Sequence, residues 1–198
     1  GEMVNPGHQH RRGLRRYEVN LLVDNSTRTG APVVFEENPT YENLVGHIDH
    51  VARFGALVTD FTLIRPGALH RAQGGYLVLD ALRVLHSPYA WDGLKLALRS
   101  GELRVEPLSR LIGLGTSIAL EPEPLDLDVR VALVGEPWLY YLVCEHDPEF
   151  RDLFKVPADF ADDVESSDEV RPRYVELLAA QAKRDALLPF DATGIARI

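Results

Sequence analysis

The run Tyr76-Leu77-Val78-Leu79-Asp80, entered through Gly74-Gly75, constrains the fold of this chain more than any other segment. Apolar residues in unbroken succession, closed by one aspartate, describe a buried strand of a parallel sheet. Such a strand delivers its last side chain to the C-terminal edge of the sheet, where open α/β sheets bind ligands. The expected fold is therefore α/β, a mainly parallel sheet with flanking helices and a carboxylate, Asp80, at the ligand edge.

The rest of the chain supplies elements for that sheet. Tyr17 to Asn25 is apolar and β-branched and reads as a strand, and Val33-Val34-Phe35 reads as another. Asn38-Pro39-Thr40 then gives a turn and a helix cap ahead of Tyr41-Glu42-Asn43-Leu44. Between Gly46 and Gly74 lie Phe54, Gly55, Ala56, Leu57, Val58, Phe61, Leu63 and Ile64, too apolar for a solvated loop yet broken by Gly and Pro. That composition reads as a hairpin-like insertion. Ser87-Pro88 is expected to open a helix with Ser87 at the cap; Trp91, Leu94 and Leu98 form its apolar stripe and Gly101 ends it. Leu111 to Leu120 reads as extended chain. Val129 to Gly135 is a second parallel-type strand, bringing Glu136 to the same edge as Asp80, and Trp138 to Glu145 is helix-compatible.

Composition shifts divide the chain into three parts. Residues 1–16, rich in Gly, His and Arg, read as a mobile N-terminal segment; a metal or nucleic-acid role there is the weaker alternative. Residues 17–160 form the α/β core. In 161–198 the acidic run through Glu169 gives way to Val170, Tyr174, Leu177, Leu178 and Ala182, spaced as one face of a helix, and Asp191 to Arg197 begins another.

Of the 198 residues, 45% are hydrophobic and 26% charged, an ordinary globular balance with enough material for one sizeable core. A formal charge of −9 argues against binding nucleic acid through phosphate contacts. The lone Cys144 excludes an intrachain disulfide, so a cytoplasmic protein is expected. No apolar run approaches the roughly 18 residues of a membrane span, and the polar N-terminus has no signal-peptide h-region.

The segments Asn43-Leu44-Val45-Gly46-His47, Arg65-Pro66-Gly67-Ala68-Leu69-His70-Arg71-Ala72 and Gly74 to Asp80 resemble the region leading through the Walker B strand of Lon-related AAA+ proteases. The resemblance extends from about Tyr17 to the C-terminus and is strongest from Asn38 to Asp80. It implies a P-loop NTPase-like (AAA+) core, a pore-loop insertion and, in 161–198, the start of a helical lid. It further implies ATP and Mg²⁺ as cofactors, unfolded protein as substrate, a homo-oligomeric, hexameric ring, and a serine–lysine peptidase that receives the threaded chain. On this resemblance Asp80 holds the Mg²⁺ water shell, and Phe54, Gly55 and Phe61 are candidates to grip substrate in the pore. Core packing of both rings is an equal alternative for Phe54 and Phe61. Arg151, in His146 to Val156, stands in the arginine-finger region, where a guanidinium neutralises charge developing on a γ-phosphate; Leu153 is the competing position. The competing expectation for Arg151 itself is an ion pair with Asp147 or Glu149.

Several departures accompany the resemblance. No G-x-x-x-x-G-K-[ST] run occurs among the 198 residues, so a phosphate-cradling loop is missing and the chain reads as a fragment. The residue after Asp80, where the family usually carries a water-activating glutamate, is Ala81, which accepts no proton; Glu136 is the candidate substitute. The position of the sensor Asn or Thr is occupied by Gly135 and Glu136. His47 and His50 lack a third convincing metal ligand, and no serine lies in a nucleophile-elbow context. These departures keep a second expectation in view, a nucleotide-independent AAA-like domain that acts as a substrate gate or assembly scaffold for a peptidase. A transcriptional-activator ATPase, similar in its insertion layout to the bacterial enhancer-binding proteins, is a distant third.

Overall fold

The computed structural model describes residues 17–53, 56–111, 113, 120–161, 163–188 and 191–195. In chain order the elements are β1 (Val33–Glu36), α1 (Tyr41–Val45), β2 (Gly46–Ile48), β3 (Val51–Arg53), β4 (Ala56–Val58), a 3₁₀ turn (Phe61–Leu63), β5 (Ile64–Pro66), α2 (Ala68–Arg71) and β6 (Gly75–Asp80). They continue with α3 (Ala81–His86), α4 (Ala90–Ser100), β7 (Glu102–Leu103), α5 (Leu108–Leu111), β8 (Leu125–Asp126), β9 (Val129–Val134), α6 (Pro137–His146), α7 (Phe150–Leu153), α8 (Val170–Arg184) and α9 (Ala192–Ile195). The residues up to Lys155 make one compact unit and those from Val156 a second.

The organising element is a three-stranded parallel sheet in the order β1-β6-β9, with Val34 opposite Leu77 and Leu77 opposite Val131. Two-stranded antiparallel ribbons, β2-β5, β3-β4 and β7-β8, surround it, so the pairing is mixed. The strands follow one another in one direction across the sheet, and right-handed crossovers then place every connecting helix on one face. On that face Leu77 and Leu79 of β6 pack with Tyr41, Leu44 and Val45 of α1, Leu69 of α2, Val84 of α3 and Leu94 of α4, and Val34, Val131 and Leu133 close the layer.

This topology changes one expectation. The apolar strand ending at Asp80 is interior by pairing but not covered on both sides. Its second face lies open, with Phe35 71%, Tyr76 46% and Val134 61% exposed, because no crossover among the described residues runs the other way. The segment from Glu18 to Asn25 is also not a strand: among the described residues no ladder pairs with it, and the Asp24 carboxylate instead accepts the Ser26 amide at 2.9 Å to form a turn.

Helix boundaries follow local chemistry. Thr40 caps α1, its hydroxyl accepting the Asn43 amide at 3.2 Å as expected. Ser87, by contrast, ends α3 rather than starting α4: its hydroxyl donates to the Arg83 carbonyl at 2.9 Å, and α4 begins after Tyr89 at φ 61°. Gly101, at φ 67°, ends α4 as read from the sequence. Most of the expected extended stretch from Leu111 to Leu120 falls outside the described residues. In the second unit, α8 is the helix whose spacing was read from Val170 to Ala182.

Candidate functional site

The C-terminal edge of the sheet collects the charged groups. Asp80 is the last residue of β6 and simultaneously the N-cap of α3; its Oδ1 accepts the Arg83 amide at 2.9 Å. A carboxylate satisfies an orphan amide at a helix start and interacts favourably with its dipole, so the strand-to-helix transition is written into Asp80 itself. Arg83 then reaches back with Nη1 to the Glu37 carbonyl at 2.6 Å, tying α3 to the end of β1. Just before that point Glu36, largely buried, takes an ion pair from Arg71 at 2.6 Å and accepts the Asn38 amide at 3.0 Å.

The third strand reaches the same edge. Asp80 is opposite Val134, so Glu136, two residues on, leaves β9 beside it and begins α6 with an exposed carboxylate that makes no capping bond. Between these strand ends, Gly135 meets Ala81: a Cβ placed on Gly135 would lie 3.2 Å from the Ala81 methyl and 3.4 Å from Leu139 Cδ2. A side chain at 135 needs its neighbours to yield, and a longer one at 81 would press on the Gly135 backbone.

That contact decides whether the edge fits ATP and Mg²⁺. One oxygen of Asp80 is engaged by α3, the next position offers a methyl group, and the position across from it offers no side chain. The groups at hand amount to part of a cation site, with no proton acceptor at the position directly after Asp80, Glu136 as the carboxylate from the neighbouring strand, and no phosphate-cradling run anywhere in the sequence. The fit is incomplete, and no catalytic step is derived through the nucleotide.

The remaining described residues singled out from the sequence make contacts of their own. Arg151 sits exposed on α7; its contact with the Cys144 thiol, and secondarily with Tyr140, raises its pKa further above the ordinary value. It does not make the ion pair considered for it. Asp147 is instead held by Lys95 at 2.8 Å and the Trp91 indole N–H at 2.7 Å, and Glu149 by Arg99 at 2.7 Å. Burial pushes the Asp147 carboxyl up, but its bonds to Lys95 and Trp91 outweigh that and leave it below the usual range. Phe54 and Gly55 lie outside the described residues. Phe61 opens the 3₁₀ turn half-buried, its carbonyl accepting the Asn20 side-chain amide at 2.8 Å. His47 rests against Asp49 at 3.2 Å, and Arg65 takes the other oxygen of the same carboxylate at 2.7 Å.

Sequence reasoning missed His70. It is buried at 5% exposure on α2, and burial together with the Arg71 charge lowers its pKa from 6.5 to about 4. The only signal was its place three residues after Gly67 in an otherwise apolar helix face.

A parallel sheet with helices on one face, a carboxylate at its C-terminal edge and an inserted ribbon defines an α/β module of AAA+ type. A family model described as "LonB-like, AAA domain" matches residues 29–161, and the chain belongs to that family. The crystal structure of NtrX from Brucella abortus shares the fold, with a TM-score of 0.50 and 20% identity, over 86% of this chain and 36% of that one. This chain thus spans about a third of that protein's length, and the likeness bears on fold alone. Comparison with curated proteins yields no match. No helix among the described residues is long and apolar enough to cross a membrane.

Proposed function

We propose that the chain is the substrate-handling AAA+ region of a Lon-like ATP-dependent protease. In that reading it works in a cytoplasmic, hexameric ring, binds ATP with Mg²⁺ at the edge carrying Asp80 and Glu136, and uses Arg151 as the group offered to the neighbouring subunit. The insertion bearing Phe54, Gly55 and Phe61 engages unfolded protein and passes it to a serine–lysine peptidase. The observation that supports the reading is the placement of Asp80 at the C-terminal end of the central strand, with a LonB-like match running through it. The chain alone neither turns over ATP well nor cuts peptides. Nucleotide titration and turnover of the whole protein, with and without Asp80→Asn, test it: weakened binding or turnover in the variant is expected, and unchanged values remove Asp80 from the mechanism.

A second reading, a gate or scaffold that needs no nucleotide, draws on one specific observation, the Ala81–Gly135 contact that fills the edge where proton-accepting and sensor side chains would stand. Peptidase activity of the whole protein on an unfolded substrate separates the two. Independence from ATP supports the gate, and strict dependence supports the ATPase.

A further inference from the structure

The insertion leaves and re-enters the core at Gly46 and Gly67, and the two backbones touch there. Gly46 has φ +94°, and a Cβ on it would lie 2.6 Å from the Arg65 carbonyl and 3.1 Å from the Gly67 amide; a Cβ on Gly67 would collide with the Leu44 carbonyl and the Gly46 amide. Only residues without side chains permit so narrow a neck. Beneath it lies His70, whose Nδ1 accepts the Gly67 N–H at 3.2 Å and whose ring carbon is 3.4 Å from the place a Gly46 Cβ would take. With Nδ1 accepting, the proton belongs on Nε2, and that buried N–H has no partner.

Beyond the neck the insertion is stitched to itself. The Asp49 amide donates to the Leu63 carbonyl at 2.9 Å, the Thr59 hydroxyl to the Asp49 carbonyl at 2.9 Å, and Arg65 pairs with Asp49. Its further tie comes from Asn20, whose amide reaches the Phe61 and Ile64 carbonyls at 2.8 and 3.2 Å. A body bonded internally, joined through two glycines, and seated on a polar group left unsatisfied is built to pivot, because opening lets the orphaned N–H find water.

We propose that Gly46, Gly67 and His70 form a hinge about which the described part of the insertion, the β2–β5 ribbon with the chain from Asp49 to Arg53 and from Ala56 to Leu63 that it carries, swings as one body while α2 and β6 stay in place. The inference holds whether or not the edge at Asp80 binds nucleotide.

Native-state hydrogen exchange tests it. Amides of β2, β5 and Gly67 exchange through a shared opening, at least about tenfold faster than Leu77 and Leu79 of β6. Exchange of the neck in step with β6 overturns the hinge, and this needs only the unaltered protein. His70→Phe removes the acceptor of the Gly67 amide from the closed state alone, so it speeds exchange at the neck and in β6 by the same factor, about three- to tenfold, with the neck still the faster; a rise in β6 with the neck unchanged shows that the neck opens without breaking the Gly67–His70 bond and overturns the hinge. Asn20→Ala, which disturbs no buried packing, raises exchange across β2, β5 and the 3₁₀ turn together. A rise confined to the turn shows that the insertion does not move as one body.

Discussion

Acidification offers the sharpest test of the interior of this domain, through His70. The imidazole is neutral in the folded protein, its pKa lowered from 6.5 to about 4 by burial and then by the neighbouring Arg71 charge. Above pH 6.5 neither state holds the proton and the full stability is present. As pH falls below 6.5 the unfolded chain takes up a proton that the folded state refuses, and stability drops until the folded imidazole also protonates near pH 4; below that the loss levels off. Each unit of separation is worth about 1.4 kcal/mol, so the loss across the window is about 3 kcal/mol, a large share of a typical domain's stability. His70→Phe abolishes this titration but leaves the Gly67 amide without its acceptor, at a cost of about 1 kcal/mol at neutral pH. The unaltered protein is therefore the more stable at pH 7 and the less stable at pH 4.5. Urea denaturation followed through Trp91 and Trp138, both in the first unit, reads the two curves. Carboxylates held below their ordinary pKa, such as Asp147, act only under pH 3.8 and leave the window clear. Parallel pH profiles for the two proteins would refute a buried neutral imidazole.

The remaining expectations concern the sheet edge and the helices beneath it. Asp80→Ala should cost about 1 kcal/mol by uncapping α3, whereas Asp80→Asn should cost much less because asparagine caps equally well; equal losses in urea denaturation would contradict the capping role. Gly135→Ala should destabilise by about 1 kcal/mol through its contact with Ala81, and Ala81→Gly in the same chain should recover part of that loss; strict additivity of the two would show that the residues do not touch. Gly93→Ala, whose added methyl would meet the Tyr41 ring at 2.6 Å, should cost about 2 kcal/mol by thermal or chemical denaturation, and a neutral result would displace Tyr41 from α4. Asp147→Ala takes the 2.8 Å partner from Lys95 and the acceptor from the Trp91 N–H and should cost about 2 kcal/mol at pH 7, a penalty that shrinks as pH falls below 3.8, where the unfolded chain takes up a proton that the folded carboxylate still refuses.

The sequence by itself determined the local elements and the class of fold. The apolar run of β6 and the apolar-rich stretch of β9, interrupted by Arg130, specify strands, Thr40 and Gly101 mark helix ends through capping chemistry, and Asp80 falls at the strand terminus by simple succession. Tertiary structure decided what those elements meet. Whether β6 is covered on both faces depends on the direction of its crossovers, which no single strand encodes. Ser87 was free to start one helix or end another, and the choice fell to where the Arg83 carbonyl lay. The segment from Glu18 to Asn25 has strand composition but pairs with no ladder among the described residues, so propensity went unused. The meeting of Ala81 with Gly135, the pairing of Asp147 with Lys95 rather than Arg151, and the seat of His70 under Gly46 and Gly67 join residues far apart in the chain or on different elements. Such contacts arise when strands and helices pack, because periodicity reports which side of an element faces inward but not which partner waits there.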